Sequence, residues 1–184
     1  MRKFYKDIYQ SEFLLSEKVS RFIWNVVYII AFKFSPRICF AWRAMLLRLF
    51  GAKIGAGCKI YSKVKIWLPK NLNVGDGVII GDKVNLYNIA PIFIASEVTI
   101  SQEAFLCTAS HNIESQNREL VFSSITIERG AWVFSGAFVC MGIRIGEGAI
   151  VGAKSVITKN VEAFDVMGGN PARVLRKRKA DWLD

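Results

Sequence analysis

Residues 127–161 read IERGAWVFSGAFVCMGIRIGEGAIVGAKSVITKNV. Every sixth residue is β-branched and apolar: Ile127, Val133, Val139, Ile145, Val151 and Ile157. Four places after each stands Ala131, Ala137, Ile143, Ala149, Ser155 or Val161, mostly small. A period of six fits neither an amphipathic helix nor an alternating strand. It is the hexapeptide repeat of a parallel β-helix, in which each hexapeptide forms one flat side of a triangular coil. The large apolar residue fills the interior, and the small one fits near a corner. Three hexapeptides close a coil, so Ile127 stacks under Ile145 and Val133 under Val151, eighteen residues on.

The same period runs upstream. Ile54, Ile60 and Ile66 give the first coil. Val74, Ile80 and Leu86 give the second, offset by 74 − 54 = 20, so two extra residues sit at a corner near Pro69-Lys70-Asn71. Ile94, Ile100 and Leu106 give the third, again offset by 20, with the extra pair near Ala90-Pro91. Ile127 follows Ile94 by 33, so fifteen residues beyond a coil's eighteen are extruded, at 111–125. A long loop thrown out of a rigid repeat is a natural place for function. The coils end near Val161, Pro171 breaks the chain, and residues 172–182 read as a short basic helix.

Before the repeat lie two apolar stretches. Phe22–Phe34 has thirteen residues, includes Asn25 and Lys33, and stops at Ser35-Pro36. A transmembrane helix needs about 20 apolar residues, so a span is rejected. Arg37–Phe50 reads as a helix after Pro36, ended by Gly51. Arg37, Ala41, Ala44 and Arg48 share one side; Ile38, Trp42, Met45, Leu46 and Leu49 share the other. Two compatible readings stand: a cap over the open edge of the first coil, or an interfacial helix on a membrane. Residues 1–19 are polar and mixed in charge, a loose arm with a short helix. The expected organisation is therefore an N-terminal arm and helical cap over 1–50, a β-helix over 51–166, and a basic tail over 167–184.

The 184 residues suit one domain with a substantial core. Hydrophobic residues at 52% against 22% charged argue against disorder. A formal charge of +10 suggests an anionic partner. Cys39, Cys58, Cys107 and Cys140 are scattered without a CxxC, which is neither a zinc site nor a disulfide framework and suits a reducing cytoplasm. The first twenty residues carry charges of both signs and no apolar core, so no signal peptide is expected.

His111 is the one histidine, placed where the third coil opens into the loop. Imidazole is the side chain best suited to base chemistry near neutral pH. A single histidine cannot build a three-histidine zinc site, and no metal is expected. Cys107 invites a thiol–histidine reading, but its register places it beside interior Leu106. Gly75-Asp-Gly77 and Gly146-Glu-Gly148 are coil corners, since neither has the Lys-Ser/Thr of a P-loop.

The hexapeptides, the Ser110-His111 turn, Ile127–Trp132, Val151–Lys159 and Gly169-Asn-Pro-Ala-Arg173 together resemble the hexapeptide-repeat acyltransferases of the maltose/galactoside acetyltransferase group. Trp42–Gly55, with Val84-Asn-Leu-Tyr87 and Leu106-Cys-Thr108, is closer still to the colanic acid biosynthesis (WcaF-like) acetyltransferases of bacterial exopolysaccharide pathways. The resemblance implies an all-β, left-handed parallel β-helix with N-terminal apolar helices, and a homotrimer with active sites between neighbours. It implies acetyl-CoA as acyl donor, a sugar or glycan hydroxyl as acceptor, and His111 as general base in direct transfer. Trp132 matches a tunnel tryptophan and Ser135 a hydroxyl near the cofactor thiol. Ala153, Thr158 and Lys159 fall where relatives meet the pantetheine arm and phosphates. Arg173 and Arg176 match basic residues suited to a 3′-phosphate and diphosphate. Asn85 and Tyr87, one coil below His111, are the acceptor candidates.

Plainer readings stand beside these. Trp132 is equally a surface aromatic at a subunit contact, Arg176–Lys179 a solvated basic face, and Asn85 and Tyr87 corner residues of the coil. The chain also departs from the pattern: Asn112 stands where many relatives have aspartate, Phe134 where they have a small residue, and Met141 where they have proline. If a carboxylate orients the imidazole, Glu103, Glu114 and Glu119 are the candidates. The expected protein is an O-acetyltransferase of glycan synthesis, cytoplasmic or peripheral on the inner face of an anionic membrane. The alternatives are a non-catalytic scaffold, or an acyltransferase with another donor or an amine acceptor. Nucleic acid is not expected as a partner, because no aromatic-lined basic groove is evident.

Overall fold

The computed structural model describes residues 14–179. Residues 1–13 of the arm expected over 1–19, and the end of the expected basic helix, 180–182, lie outside the described residues. Leu15–Val27 forms helix α1, which runs on as a π-type turn over Tyr28–Phe32. Helix α2 spans Phe40–Leu49. From Lys53 onward the chain winds into a parallel β-solenoid of three faces.

The first face stacks Lys53–Ile54, Leu72–Val74, Ile92–Ile94, Ile125–Ile127 and Arg144–Ile145. The third stacks Lys65–Ile66, Asn85–Tyr87, Phe105–Cys107, Phe138–Val139 and Val156–Ile157. The second face begins at Lys59–Ile60 and runs through Ile79–Ile80, Thr99–Ile100, Trp132–Val133 and Ile150–Val151 to Asp165–Gly169. The registers match the repeat: Ile54 pairs with Val74, Val74 with Ile94, Ile94 with Ile127, and Ile127 with Ile145. Each strand buries its β-branched or leucine position and turns its neighbour outward, so the core is three columns of stacked apolar side chains. Ala131, Ala137 and Ala149 are fully buried at corners. At Gly75 a Cβ would lie 2.6 Å from the Ser96 backbone nitrogen, so the corner demands glycine.

The two-residue insertions are accommodated between the third and first faces. Pro69–Asn71 forms a 3-10 turn. Buried Asn88 accepts from the Trp67 and Leu68 N–H groups and donates to the Leu68 carbonyl. Its side chain shares the Trp67 N–H with the Leu86 carbonyl and serves both backbone groups of Leu68 at the bulging corner.

The helices close the end of the first coil by a repeated device. Within the solenoid, each N–H just after a core position donates to the next coil: Gly55 to Val74, Tyr61 to Ile80, Trp67 to Leu86. The carbonyls of Ile54, Ile60 and Ile66 therefore have no earlier coil to serve. Each receives a side-chain donor from the helical segment. Arg48 binds Ile54 O through Nε (3.0 Å) and Nη2 (2.8 Å). Arg43 Nε donates to Ile60 O at 2.6 Å, and Trp24 Nε1 to Ile66 O at 2.9 Å. Trp24 is buried in a ring cluster with Tyr28, Phe32 and Phe50. Trp24→Phe keeps the ring and removes the donor. We expect a loss of about 1–2 kcal/mol, read from urea unfolding; an unchanged midpoint would mean that water serves Ile66 O equally well.

Two expectations need correction. Of the expected apolar stripe Leu46 packs inward, but Ile38, Trp42, Met45 and Leu49 are exposed, and Arg43, Ala44 and Leu47 are buried in their stead. The arginine is inside because the solenoid edge presents bare carbonyls, which apolar side chains cannot satisfy. At the other end, Ala172–Lys177 is a strand, antiparallel to Asp165–Gly169 across a turn at Asn170-Pro171. The solenoid thus continues one side past Val161, and its open edge captures the following segment. Ladder pairing there outweighs the helix propensity of the basic run.

Candidate active site

The chain leaves the third face after Cys107 as a two-stranded antiparallel ribbon. Ala109–His111 pairs with Leu120–Phe122, with His111 opposite Leu120. The excursion starts earlier than expected, at Ala109, so His111 sits up the ribbon and not at its root. Ile125, expected in the loop, is a fully buried core residue paired with Ile92. Buried Thr108 fixes the exit: its Oγ1 donates to the Tyr87 carbonyl and accepts from the Ala90 N–H.

His111 is exposed, and its Nδ1 lies 2.7 Å from the Arg118 carbonyl oxygen. A carbonyl only accepts, so Nδ1 carries a proton, and in the neutral ring Nε2 is the nitrogen with the lone pair. None of the three candidate carboxylates orients the ring. Glu103 pairs with Lys83, Glu119 accepts from Ser115 Oγ, and no bond from Glu114 to the ring is present. Asn112 Oδ1 accepts from the Glu114 N–H, and its own N–H donates to Glu119 O, so it braces the loop. The orienting group was missed because it is backbone, and no residue type advertises it.

The other predicted residues divide by face. Asn85 and Tyr87 project from the third face and line a cleft of about 380 Å³ beneath α1. Arg21, Asn25 and Tyr28 from the helical segment, with Lys65, Ile66 and Trp67, complete it. The Arg21 guanidinium lies over the Trp67 ring at 4.2 Å, and Trp67 meets Tyr87 edge-on at 5.0 Å. Burial pushes the Tyr87 phenol up, with Cys107 adding to it and Arg21 opposing, so it stays a neutral donor. A larger groove, about 510 Å³, lies on the first face between Lys53, Phe93 and Arg129. It is the shallow outside of a flat sheet and holds none of the predicted residues. The smaller cleft, which joins polar donors to aromatic faces, is the better ligand site.

Trp132 lies on the second face, half-exposed, with Nε1 donating to Ser101 Oγ at 2.9 Å and its ring 4.7 Å from Phe134. Ser135 and exposed Ala153 are at the corner between second and third faces, and exposed Thr158 and Lys159 follow the third. Arg173 and Arg176 are exposed on the terminal strand. Arg178 of the same run is structural, donating to the carbonyls of Gly130 and Gly148. Cys107 Sγ points to the Ala109 carbonyl at 3.1 Å, and no bond to His111 is present. Thr158 and Lys159 stand on the solenoid edge from which the His111 ribbon leaves, two coils on, whereas Trp132, Ser135 and Ala153 lie on the second face or its far corner.

No protein-family model matches the chain. Among solved structures, the hexapeptide-repeat containing acetyltransferase from Vibrio cholerae superposes with a TM-score of 0.83 at 26% identity, over 90% of this chain and 94% of that one. The same enzyme complexed with acetyl-coenzyme A, from Vibrio cholerae O1 biovar eltor, gives 0.82 at 25% identity, over 90% of both chains. The fold is that of a hexapeptide-repeat acetyltransferase. In sequence, the provisionally named colanic acid biosynthesis acetyltransferase WcaF of Escherichia coli K12 is 43% identical over 156 residues, 85% of this chain and 86% of that protein. The chain belongs to this WcaF family of acetyltransferases.

Proposed function

We propose that the protein transfers the acetyl group of acetyl-CoA to a sugar hydroxyl during synthesis of a bacterial exopolysaccharide, capsule or lipid-linked glycan. The observation that carries the reading is the His111 ring, held by the Arg118 carbonyl through Nδ1, which leaves Nε2 as the nitrogen free to act as base in the neutral ring. Nε2 takes the proton from the acceptor hydroxyl as its oxygen attacks the thioester carbon. The tetrahedral oxyanion collapses as the C–S bond breaks, and the imidazolium returns the proton to the departing thiolate. Backbone N–H groups are the natural oxyanion donors.

The cleft under α1 suits the sugar. Trp67 and Tyr87 offer aromatic faces, and Arg21, Asn25 and Asn85 offer polar contacts. The spread of the remaining candidates over the second face, its far corner and the terminal strand suits a homotrimer in which the donor lies between neighbours. There it meets Trp132, Ser135, Ala153, Thr158 and Lys159, with Arg173 and Arg176 toward its phosphates. Such chemistry belongs in the cytoplasm, where acetyl-CoA is made. No helix among the described residues is long and apolar enough to cross a membrane.

Thiol release from acetyl-CoA, measured with a panel of sugar acceptors, tests the reading. Release that no sugar stimulates would favour a scaffold or an amine acceptor. Asn85→Ala should raise the acceptor KM about tenfold, the worth of one hydrogen bond, and leave the acetyl-CoA KM unchanged. Equal effects on both constants would remove Asn85 from the acceptor side.

A further inference from the structure

The helical segment is apolar on both sides. Trp24, Tyr28 and Phe32 face the solenoid, while Phe22, Ile30 and Phe34 on the opposite side are 69%, 73% and 73% exposed. The second helix and the turn before it repeat the arrangement, with Leu49 at 73% and Ile38 at 86% exposed. Trp42 Nε1 donates to the Ala31 carbonyl at 2.9 Å, between Ile30 and Phe34, so the two outward stripes meet. A monomer rarely keeps such a continuous apolar face without a use.

Charge identifies the occupant. Between Lys18 and Gly75 the sequence has eleven Lys or Arg residues and no Asp or Glu. Since the whole chain carries +10, the remainder sums to −1. That segment is one place in space: the helices and the first coil. Lys53, Lys59 and Lys65 are exposed at the same position of each face, a cationic collar around the end that the helices cover. Arg43 is buried, Lys70 pairs with Glu17, and Lys63 lies 3.9 Å from Asp82; the others leave the end strongly positive.

The geometry points to this helix-capped end as a docking face for an anionic phospholipid bilayer, with the apolar stripes in the head-group region and the collar at the lipid phosphates. A second copy set end to end would bring two all-cationic segments together. A nucleic acid would meet the charge but leave the apolar stripes in water. The inference goes beyond the acetyl transfer and does not depend on the acceptor.

The test is co-flotation of the full chain with vesicles of phosphatidylglycerol mixed with phosphatidylcholine, against phosphatidylcholine alone. Light scattering reads the assembly mass in parallel. The protein should float with the anionic vesicles and much less with the neutral ones, and added salt should release it. Phe22→Asp/Ile30→Asp/Phe34→Asp changes only exposed positions; it should remain in the dense fraction at unchanged mass. Lys53→Glu/Lys59→Glu should weaken partition by about tenfold or more. His111→Ala should float as the parent does, which separates docking from chemistry. No flotation of the parent, equal flotation on neutral vesicles, or a triple variant that changes mass yet still floats would each overturn the inference.

Discussion

Acetyl transfer by a His111→Ala protein is expected to fall by about 10²–10⁴-fold, the usual worth of a positioned general base, with the acetyl-CoA KM unchanged. The reason is the ring's fixed tautomer. The Arg118 carbonyl accepts a hydrogen bond from Nδ1–H, N···O 2.7 Å, so the neutral ring presents Nε2 as its base. Thiol release under saturating acetyl-CoA reads kcat, and donor titration reads KM; turnover near the parent's would remove the base assignment. The orienting group gives a sharper contrast. Were a carboxylate holding the ring, Glu103→Gln, Glu114→Gln or Glu119→Gln would cost about 10–100-fold. With a backbone carbonyl in that role, all three should stay close to the parent. A large loss at any one of them would show that the ring turns to a carboxylate during catalysis.

Legibility in the sequence followed the physics of each part. The columns under Ile127 and Val133 were readable because a parallel solenoid has one packing rule, repeated at a fixed interval. The insertions near Pro69 and Ala90 were readable as breaks in that interval. What the interval does not govern was lost. Ala172–Lys177 reads locally as helix, and only the bare edge of Asp165–Gly169 makes it a strand. Ala109–His111 stays extended after the repeat stops, so the ribbon begins before the arithmetic says. His111 was found because a lone imidazole beside a long extrusion is chemically conspicuous. Its partner at Arg118 was not, because every residue has a carbonyl. The cleft that joins Asn85 to Arg21 required knowing that α1 crosses the third face.

Arg43 was also invisible, since a cation inside an apolar helix reads as the edge of a polar face. The structure buries it completely, and its guanidinium is used almost in full. Nε reaches Ile60 O at 2.6 Å; Nη1 reaches Ser35 Oγ and Pro36 O, each at 2.8 Å; Nη2 reaches Arg37 O at 2.8 Å. No carboxylate is among these partners. Burial lowers the Arg43 pKa, which marks the cost of holding the cation there, and the four oxygens offset it. One side chain therefore closes a solenoid edge and fixes the Ser35–Arg37 bend between the helices. Arg43→Met retains the length, recovers the desolvation cost and strands acceptors that cost about 1–3 kcal/mol each when buried alone. We expect a net loss of about 3–5 kcal/mol, or a Tm about 6–20 °C lower at matched protein concentration. Arg43→Lys can reach only part of the fork and should fall between methionine and the parent. A methionine variant as stable as the parent would mean that the bend relaxes and water caps Ile60. In that case the helices pack on the solenoid by apolar contact alone.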